Sequence, residues 1–309
     1  MPARGPDPGF VDLQVNGYAG IDFGDEALTA ERFHQACVAL RRDGVSRFQP
    51  TIVTGPLPQM CARLERLAAC TEADALASRM VAGLHVEGPF LNPEEGYRGA
   101  HRAASVRPAD RDSAAALVDA GRGLVTMLTL APEVDDGLQV TRYLADRGII
   151  VSAGHTNADC DTLRAAVDAG LGCFTHLGNG CPNRLPRHDN IVQRVLGMHD
   201  RLSIAFIADG AHVPFFALRN YLAAAGLERT IVVTDAMPAA GKGPGAYRFD
   251  GRDVTVGEDL VARNPDGDTL FGSAMTMPRA VTNLVDGVGL SEADAQRLTV
   301  SNPAALLGR

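Results

Sequence analysis

Several things are missing from this chain, and each absence removes a class of function. No apolar run approaches the roughly 20 residues that a membrane-spanning helix needs, so a membrane partner is not expected. No basic, apolar leader precedes the first apolar run, so no secretory signal is visible. The cysteines, at 37, 61, 70, 160, 173 and 181, contain no C-x-x-C pair and no regular framework; reduced, mostly buried thiols in the cytoplasm are the expectation. Neither a P-loop nor a dinucleotide-binding fingerprint is present, and Gly241-Lys-Gly-Pro-Gly245 reads as a flexible turn. Internal repeats, low-complexity tracts and linkers are absent too. A formal charge of -8 argues against nucleic acid or an anionic membrane as partner. It leaves room for an anionic small substrate, because local arginines can reverse the local field.

What remains is the composition of a soluble globular enzyme: 309 residues, 46% apolar and 21% charged. Eight strand-like runs can be read, at Phe10–Val15, Val45–Val53, Val81–Glu87, Leu124–Leu130, Ile149–His155, Gly172–His176, Leu202–Ala208 and Thr230–Asp235. Helical periodicity fills the intervals at Ala30–Asp43, Pro58–Thr71, Asp110–Ala120 and Asp159–Ala169, the last ending at Gly170, a natural helix stop. Strand and helix alternating at this rhythm predict an α/β fold with a parallel sheet, and eight units suit a (β/α)₈ TIM-like barrel. A doubly wound open sheet is the runner-up, but it places its site at one switch point, whereas here chemistry sits on five or six strand ends. After the eighth run, Asp250-Gly between short alternating segments predicts a β-hairpin inside an insertion at 241–269. The whole of 1–309 reads as a single domain.

The chemistry lies where the runs end. Glu87, His155, His176, His212 and Asp235 all close short apolar runs, and in a parallel barrel those ends converge on one mouth. Glu87, His155 and His176 are the candidate ligands of a catalytic zinc with one open position, and a further aspartate would accept a proton. Spacing alone does not separate this from polar side chains satisfied in a core. Motifs do. Pro8-Gly-Phe-Val-Asp-Leu-Gln-Val-Asn-Gly17, Gly83-Leu-His-Val-Glu-Gly-Pro-Phe-Leu-Asn92, Gly99-Ala-His101, Ala153-Gly-His-Thr-Asn-Ala158 and Thr175-His-Leu-Gly-Asn179 come first along the chain. Ile207-Ala-Asp-Gly-Ala-His212, Val233-Thr-Asp-Ala236, Gly272-Ser-Ala-Met-Thr-Met277 and Ser301-Asn-Pro-Ala304 follow. Together they resemble the N-acetylglucosamine-6-phosphate deacetylase family of the amidohydrolase superfamily, in family order and over nearly the whole chain.

That resemblance implies Glu87, His155 and His176 as metal ligands, Asp235 as catalytic acid and base, and His101 as a catalytic and substrate-binding residue. It implies further substrate contacts at Ala100, Asn179, Gly180, His212 and Ser273. Many amidohydrolases hold a second metal with His-x-His after strand one; Gln14-Val-Asn16 stands there, so one divalent ion per subunit is expected, zinc or alternatively Fe2+. Family members carry a small β-sandwich built from both termini, for which Met1–Arg309 leaves no length; a homodimer is possible. For a sugar phosphate, either Arg184 or Arg187 could form a bidentate clamp, and Arg187 sits at about the family spacing. His34, His85, His188 and His199 are read as structural.

The expected reaction is hydrolysis of the acetamide of an N-acetyl amino sugar phosphate, most simply N-acetylglucosamine 6-phosphate to glucosamine 6-phosphate and acetate. A bound metal lowers the pKa of its water toward about 7. Asp235 would take the water's proton and return it to the leaving amine, while His101 or the metal steadies the oxyanion. The alternatives are a related hydrolase acting on another N-acyl amine or a cyclic amide, motivated by the altered Gly178–Asp189 stretch, and a non-catalytic sugar-phosphate binder.

Overall fold

The computed structural model describes residues 9–263 and 270–308. Eight strands form one sheet in chain order, each parallel to the next. They are β1 (Phe10–Val15), β2 (Val45–Val53), β3 (Leu84–Glu87) and β4 (Val125–Leu130), followed by β5 (Ile150–Ala153), β6 (Leu171–Phe174), β7 (Ser203–Ile207) and β8 (Thr230–Val233). β7 and β8 are buried along their full length, the mark of strands covered on both faces. The sheet curls until its ends meet: Val15 bridges Ala236 in parallel, and the N–H groups of Asn16 and Gly17 both donate to the Ala236 carbonyl, at 2.7 and 3.1 Å. The expected barrel is therefore the fold.

Helices form where the periodicity placed them. Ala30–Arg42 buries Phe33, Ala36, Cys37 and Leu40, one stripe at i, i+3, i+4 and i+7. Its first turn is capped by Thr29, which accepts from the Arg32 N–H. Asp110 and Asp159 cap Arg111–Ala120 and Cys160–Asp168 in the same way, through the N–H groups of Ser113 and Thr162. Each cap satisfies a donor that the helix itself leaves orphaned. Among the described residues, no helix is long and apolar enough to cross a membrane.

The hairpin also forms where Asp250-Gly251 predicted it. β9 (Gly245–Phe249) pairs antiparallel with β10 (Arg252–Val256), and both turn residues have positive φ, 46° and 72°, as a tight two-residue turn requires. It stands on a small core of its own, built from Met237, Phe249, Val254, Val256, Ala262 and Phe271. Residues 264–269 of the expected insertion lie outside the described residues.

Inside the barrel the packing is partly polar. His85 Nε2 meets Thr129 Oγ1 at 2.7 Å, Thr129 meets Thr175 at 2.8 Å, and Thr175 meets Ser152 at 2.7 Å, so four side chains from neighbouring strands satisfy one another. Burial pushes His85 down to about 4, which keeps it neutral. Asp12 pins the closing seam: it accepts from the Thr234 hydroxyl at 2.5 Å and from the Thr234 N–H at 3.2 Å. Burial outweighs those bonds and pushes the Asp12 carboxyl up to about 7. A carboxyl raised in the fold binds its proton more tightly folded than unfolded, so its contribution to stability declines as pH rises from the ordinary carboxylate range to about 7. Asp12→Asn should therefore raise the melting temperature relative to wild type more at pH 8 than at pH 5. Thermal unfolding at the two pH values checks this; an equal effect at both would mean that Asp12 is not protonated in the fold.

Candidate active site

Glu87 is the last residue of β3, whereas His155, His176 and Asp235 each lie two residues past their strands. The apolar runs made the strands look longer than they are, because the chain turns sharply at each of these residues. Their φ values are 53°, 31° and 49°, in the left-handed region that side chains other than glycine rarely adopt. Such strain persists only where the surroundings over-determine it, and they do. The His155 carbonyl accepts from the Asn92 N–H at 3.0 Å. The two residues after it are tied to Glu133, which accepts from the Thr156 hydroxyl and, at 2.6 Å, from the Asn157 N–H. The His176 carbonyl accepts from the backbone and the side-chain amide of Asn179, and the Asp235 carbonyl from the Ser273 N–H at 2.9 Å.

These turns gather one ligand atom each from Glu87, His155 and His176 within 4.8 Å of one another, with all three residues buried. His176 Nε2 lies 2.9 Å and His155 Nε2 3.2 Å from the same carboxylate oxygen, Glu87 Oε1. His155 Nδ1 lies 2.9 Å from the Tyr97 carbonyl, which only an N–H can satisfy, so Nε2 carries the lone pair. Glycines let the chain close around this ring: a Cβ at Gly180 would stand 2.6 Å from His155 Nδ1, and one at Gly99 3.1 Å from Cε1. Burial alone would raise Glu87, but the His155 and His176 imidazoles set against Oε1 hold its carboxyl well below the usual range. Two imidazoles and an ionised carboxylate, with a ring tautomer set by a second neighbour, fit a divalent cation of the zinc type.

His101 completes this face. Its Nε2 lies 3.1 Å from His155 Nε2 and 3.9 Å from Glu87 Oε1. Burial, then the neighbouring His155, pushes it down to about 3, so it is neutral. A neutral His101 carries one N–H, available to the cavity from Nε2 when His155 Nε2 faces a cation. Asp235 stands on the other side, its Oδ1 accepting from Asn16 Nδ2 at 2.7 Å. Burial, then the Glu87 charge, pushes Asp235 up to about 6.

All of these groups line a cavity of about 570 Å³. Ala100, Asn179, Gly180 and His212 line it as well. His212 Nδ1 is 2.7 Å from Asp209 Oδ2, so its other nitrogen faces outward. Two expected contacts stand elsewhere. Ser273 is buried behind Asp235, joined to it through the backbone, and its hydroxyl accepts from the Met275 N–H; it is not a lining residue. Arg187, like Arg184, is exposed and outside the lining of its own chain, because the loop leaves the cavity after Asn183. The arginines that do line the cavity are Arg98 and Arg252. Asp209 and Glu133 went unread in the sequence, and Asn16 was read only as a residue standing where a second metal's histidine would be. Only Asp209, three residues before His212, carried a local signal.

A parallel barrel with this cluster at its mouth is an amidohydrolase-type hydrolase fold. No family model matches the chain. It is 32% identical to the N-acetylglucosamine-6-phosphate deacetylase of Bacillus subtilis (strain 168), over 97% of this chain and 75% of that protein. It is also 32% identical to the N-acetylgalactosamine-6-phosphate deacetylase of Escherichia coli O157:H7, over 97% of this chain and 78% of that one. Among solved structures, a mutant N-acetyl-D-glucosamine-6-phosphate deacetylase from Mycobacterium smegmatis, in complex with N-acetyl-D-glucosamine-6-phosphate, superposes with a TM-score of 0.88 at 32% identity, covering 100% of this chain and 81% of that one. The chain belongs to the N-acetylglucosamine-6-phosphate deacetylase family.

Metal content separates the roles within the cluster. His155→Ala and His176→Ala should each lose the bound cation along with activity. Asp235→Asn should keep the cation while kcat falls by about 10²–10⁴-fold, the usual weight of general acid–base catalysis. Elemental analysis beside kcat for the three variants is the check; loss of the cation from Asp235→Asn would make Asp235 a ligand.

Proposed function

We propose that the protein is a metal-dependent deacetylase of an N-acetyl amino sugar phosphate, converting N-acetylglucosamine 6-phosphate to glucosamine 6-phosphate and acetate. The observation that carries this reading is one cavity holding the Glu87, His155 and His176 cluster beside a buried aspartate, Asp235. The domain is read as one barrel with the 241–269 insertion, acting in the cytoplasm on one divalent ion per subunit, zinc in the first instance.

A divalent cation held by Glu87, His155 and His176 would supply a water acidified toward neutrality and an electrophile for the amide oxygen. Asp235 is ionised at neutral pH, and Asn16 occupies its Oδ1, leaving Oδ2 to take the water's proton as the water attacks. Asp235 then gives that proton to the amide nitrogen, which leaves well only as an amine. The Nε2–H of His101 stabilises the charge developing on the former carbonyl oxygen. His212, oriented by Asp209, holds the sugar.

The phosphate needs donors that a neutral sugar does not. Asn179 and Gly180 supply them on one wall. Arg98 and Arg252 line the cavity with them, and each keeps a buried Nε–H without an acceptor among the described residues. We therefore read these two, in preference to Arg187, as the cations on the anionic tail. Acetate release from N-acetylglucosamine and its galacto epimer, each with and without the 6-phosphate, tests the function. Strong preference for a phosphorylated substrate is expected; equal turnover of phosphorylated and plain sugar would favour the reading of a different N-acyl amine or cyclic amide. Arg98→Ala should raise KM about 10-fold or more for the phosphate ester alone, since a charge-assisted contact contributes about 1.5–3 kcal/mol. If Arg187→Ala has that effect instead, Arg187 serves the cavity of a second copy and the enzyme works as a dimer.

The pH profile has a defined sign. Asp235 must be ionised to accept the proton, and its carboxyl is pushed up to about 6; a neighbouring cation draws it lower. The acid limb of kcat/KM should fall at or below about pH 6, and a profile flat to pH 4 would take Asp235 out of the role of base.

A further inference from the structure

The tip of the hairpin carries a buried charge that the reaction above does not use. Asp250 lies at the β9–β10 turn and is 4% exposed. Its carboxylate faces guanidinium groups from three separate segments. Arg63, from the helix Leu57–Ala73 and only 7% exposed, donates Nη1 to Oδ1 at 3.0 Å. Arg102 donates Nε to Oδ2 at 3.0 Å and reaches the Asp250 carbonyl with Nη2. Arg252 Nη2 stands 3.6 Å from Oδ2. The Asp250 N–H in turn donates to Asp22 Oδ2 at 3.0 Å. A two-residue turn needs none of these contacts to form. Together they latch the hairpin to the barrel rim.

Two of the arginines lead to the reacting groups. Arg102 follows His101 in the chain. Arg252 donates Nη1 to the Ala100 carbonyl at 2.9 Å, and its guanidinium lies 3.7 Å from the Phe271 ring centre. The segment bearing His101 is thus gripped on both sides, at the Ala100 carbonyl and at the Arg102 side chain. Its own backbone ties are short-range, the nearest being the Ser105 N–H to the Arg102 carbonyl at 2.9 Å. The chain from 88 to 102 contains no strand or helix, and the bond made by the His101 N–H is a 3.4 Å turn contact to the Arg98 carbonyl.

We propose that Asp250 is a positioning residue for His101. By fixing Arg102 and Arg252 it fixes the 100–102 segment, and with it the His101 ring against His155. The hairpin thereby becomes part of the catalytic apparatus as well as a wall of the cavity. This rests on the reading of His101 as the donor to the developing oxyanion.

A double-mutant cycle on the zinc-saturated enzyme tests it. Asp250→Asn keeps the shape and removes the charge that draws the arginines together. Arg102→Ala breaks the same latch from the half-exposed side and leaves no buried cation unpaired, so it decides the matter if Asp250→Asn does not fold. Each should lower kcat for deacetylation of N-acetylglucosamine 6-phosphate by about 10–100-fold, as a displaced catalytic group does, with metal content little changed; KM should hold in Arg102→Ala and rise in Asp250→Asn, which also loosens Arg252. In a His101→Ala background neither should cause a further loss, because residues acting through one group are not additive. Equal fold-losses in the two backgrounds, or wild-type kcat in a folded Arg102→Ala protein, would overturn the proposal. If His101→Ala itself keeps wild-type activity, the reading of His101 fails and the latch has nothing to position. The imidazole ¹H–¹⁵N signals report independently of turnover. The His101 signal should move in Asp250→Asn or Arg102→Ala while that of His34 stays; a stationary His101 signal would overturn the proposal even if the enzyme proves to act on another substrate.

Discussion

The site depends on the way three strands end. His155, His176 and Asp235 all turn out of their strands in the left-handed conformation, which costs about 1–3 kcal/mol each for residues with a side chain. That strain is stable only because the flanking chain is tied down twice over, by Asn92 and Glu133 beyond β5, by Asn179 beyond β6 and by Ser273 beyond β8. Released from those ties, each strand would run on in extended form, and the ligand atoms would no longer share one oxygen of Glu87. The hydrogen bonds around the turns therefore carry the function as much as the ligands do.

Burial then sorts the two acids. Glu87 and Asp235 share one cavity, and two like charges there cannot be equally comfortable. Glu87 has two imidazoles set against Oε1 and stays ionised, whereas Asp235 has one amide donor and is pushed up to about 6. A ligand must keep its charge and an acid–base group must trade its proton, so environments that pull two carboxylates apart fit the two roles proposed for them.

Much of this was legible in the amino-acid sequence, and what was not has physical causes. Barrel strands announce themselves as apolar runs, helix starts by capping aspartates such as Asp110 and Asp159, and the hairpin by Asp250-Gly251. The strand ends were misplaced because an apolar run says nothing about φ: Ala153-Gly-His155 reads the same whether the chain goes straight or turns. Asn16 was seen only as a ligand that is not histidine, although its amide holds Asp235, 219 residues away. Spacing suggested Arg187 for an anion, but spacing does not show which way a loop faces, and the arginines in the cavity come from segments with no phosphate-like motif. The grip on Asp250 escaped for the same reason, since Arg63 and Arg102 stand 187 and 148 residues from it.

Asn16 also shows why the barrel and its chemistry fail or hold together. The sheet closes where the Asn16 N–H meets the Ala236 carbonyl, and one residue away the Asn16 side chain meets Asp235. Below, Asp12 crosses the same seam to Thr234, the neighbour of Asp235 on its other side. Asp235 thus sits on the joint between the first strand and the last. Contacts of such large sequence separation cost more loop-closure entropy than local ones, so they hold only with the rest of the barrel behind them. The seam that closes the barrel is, at this position, also the seam that orients Asp235.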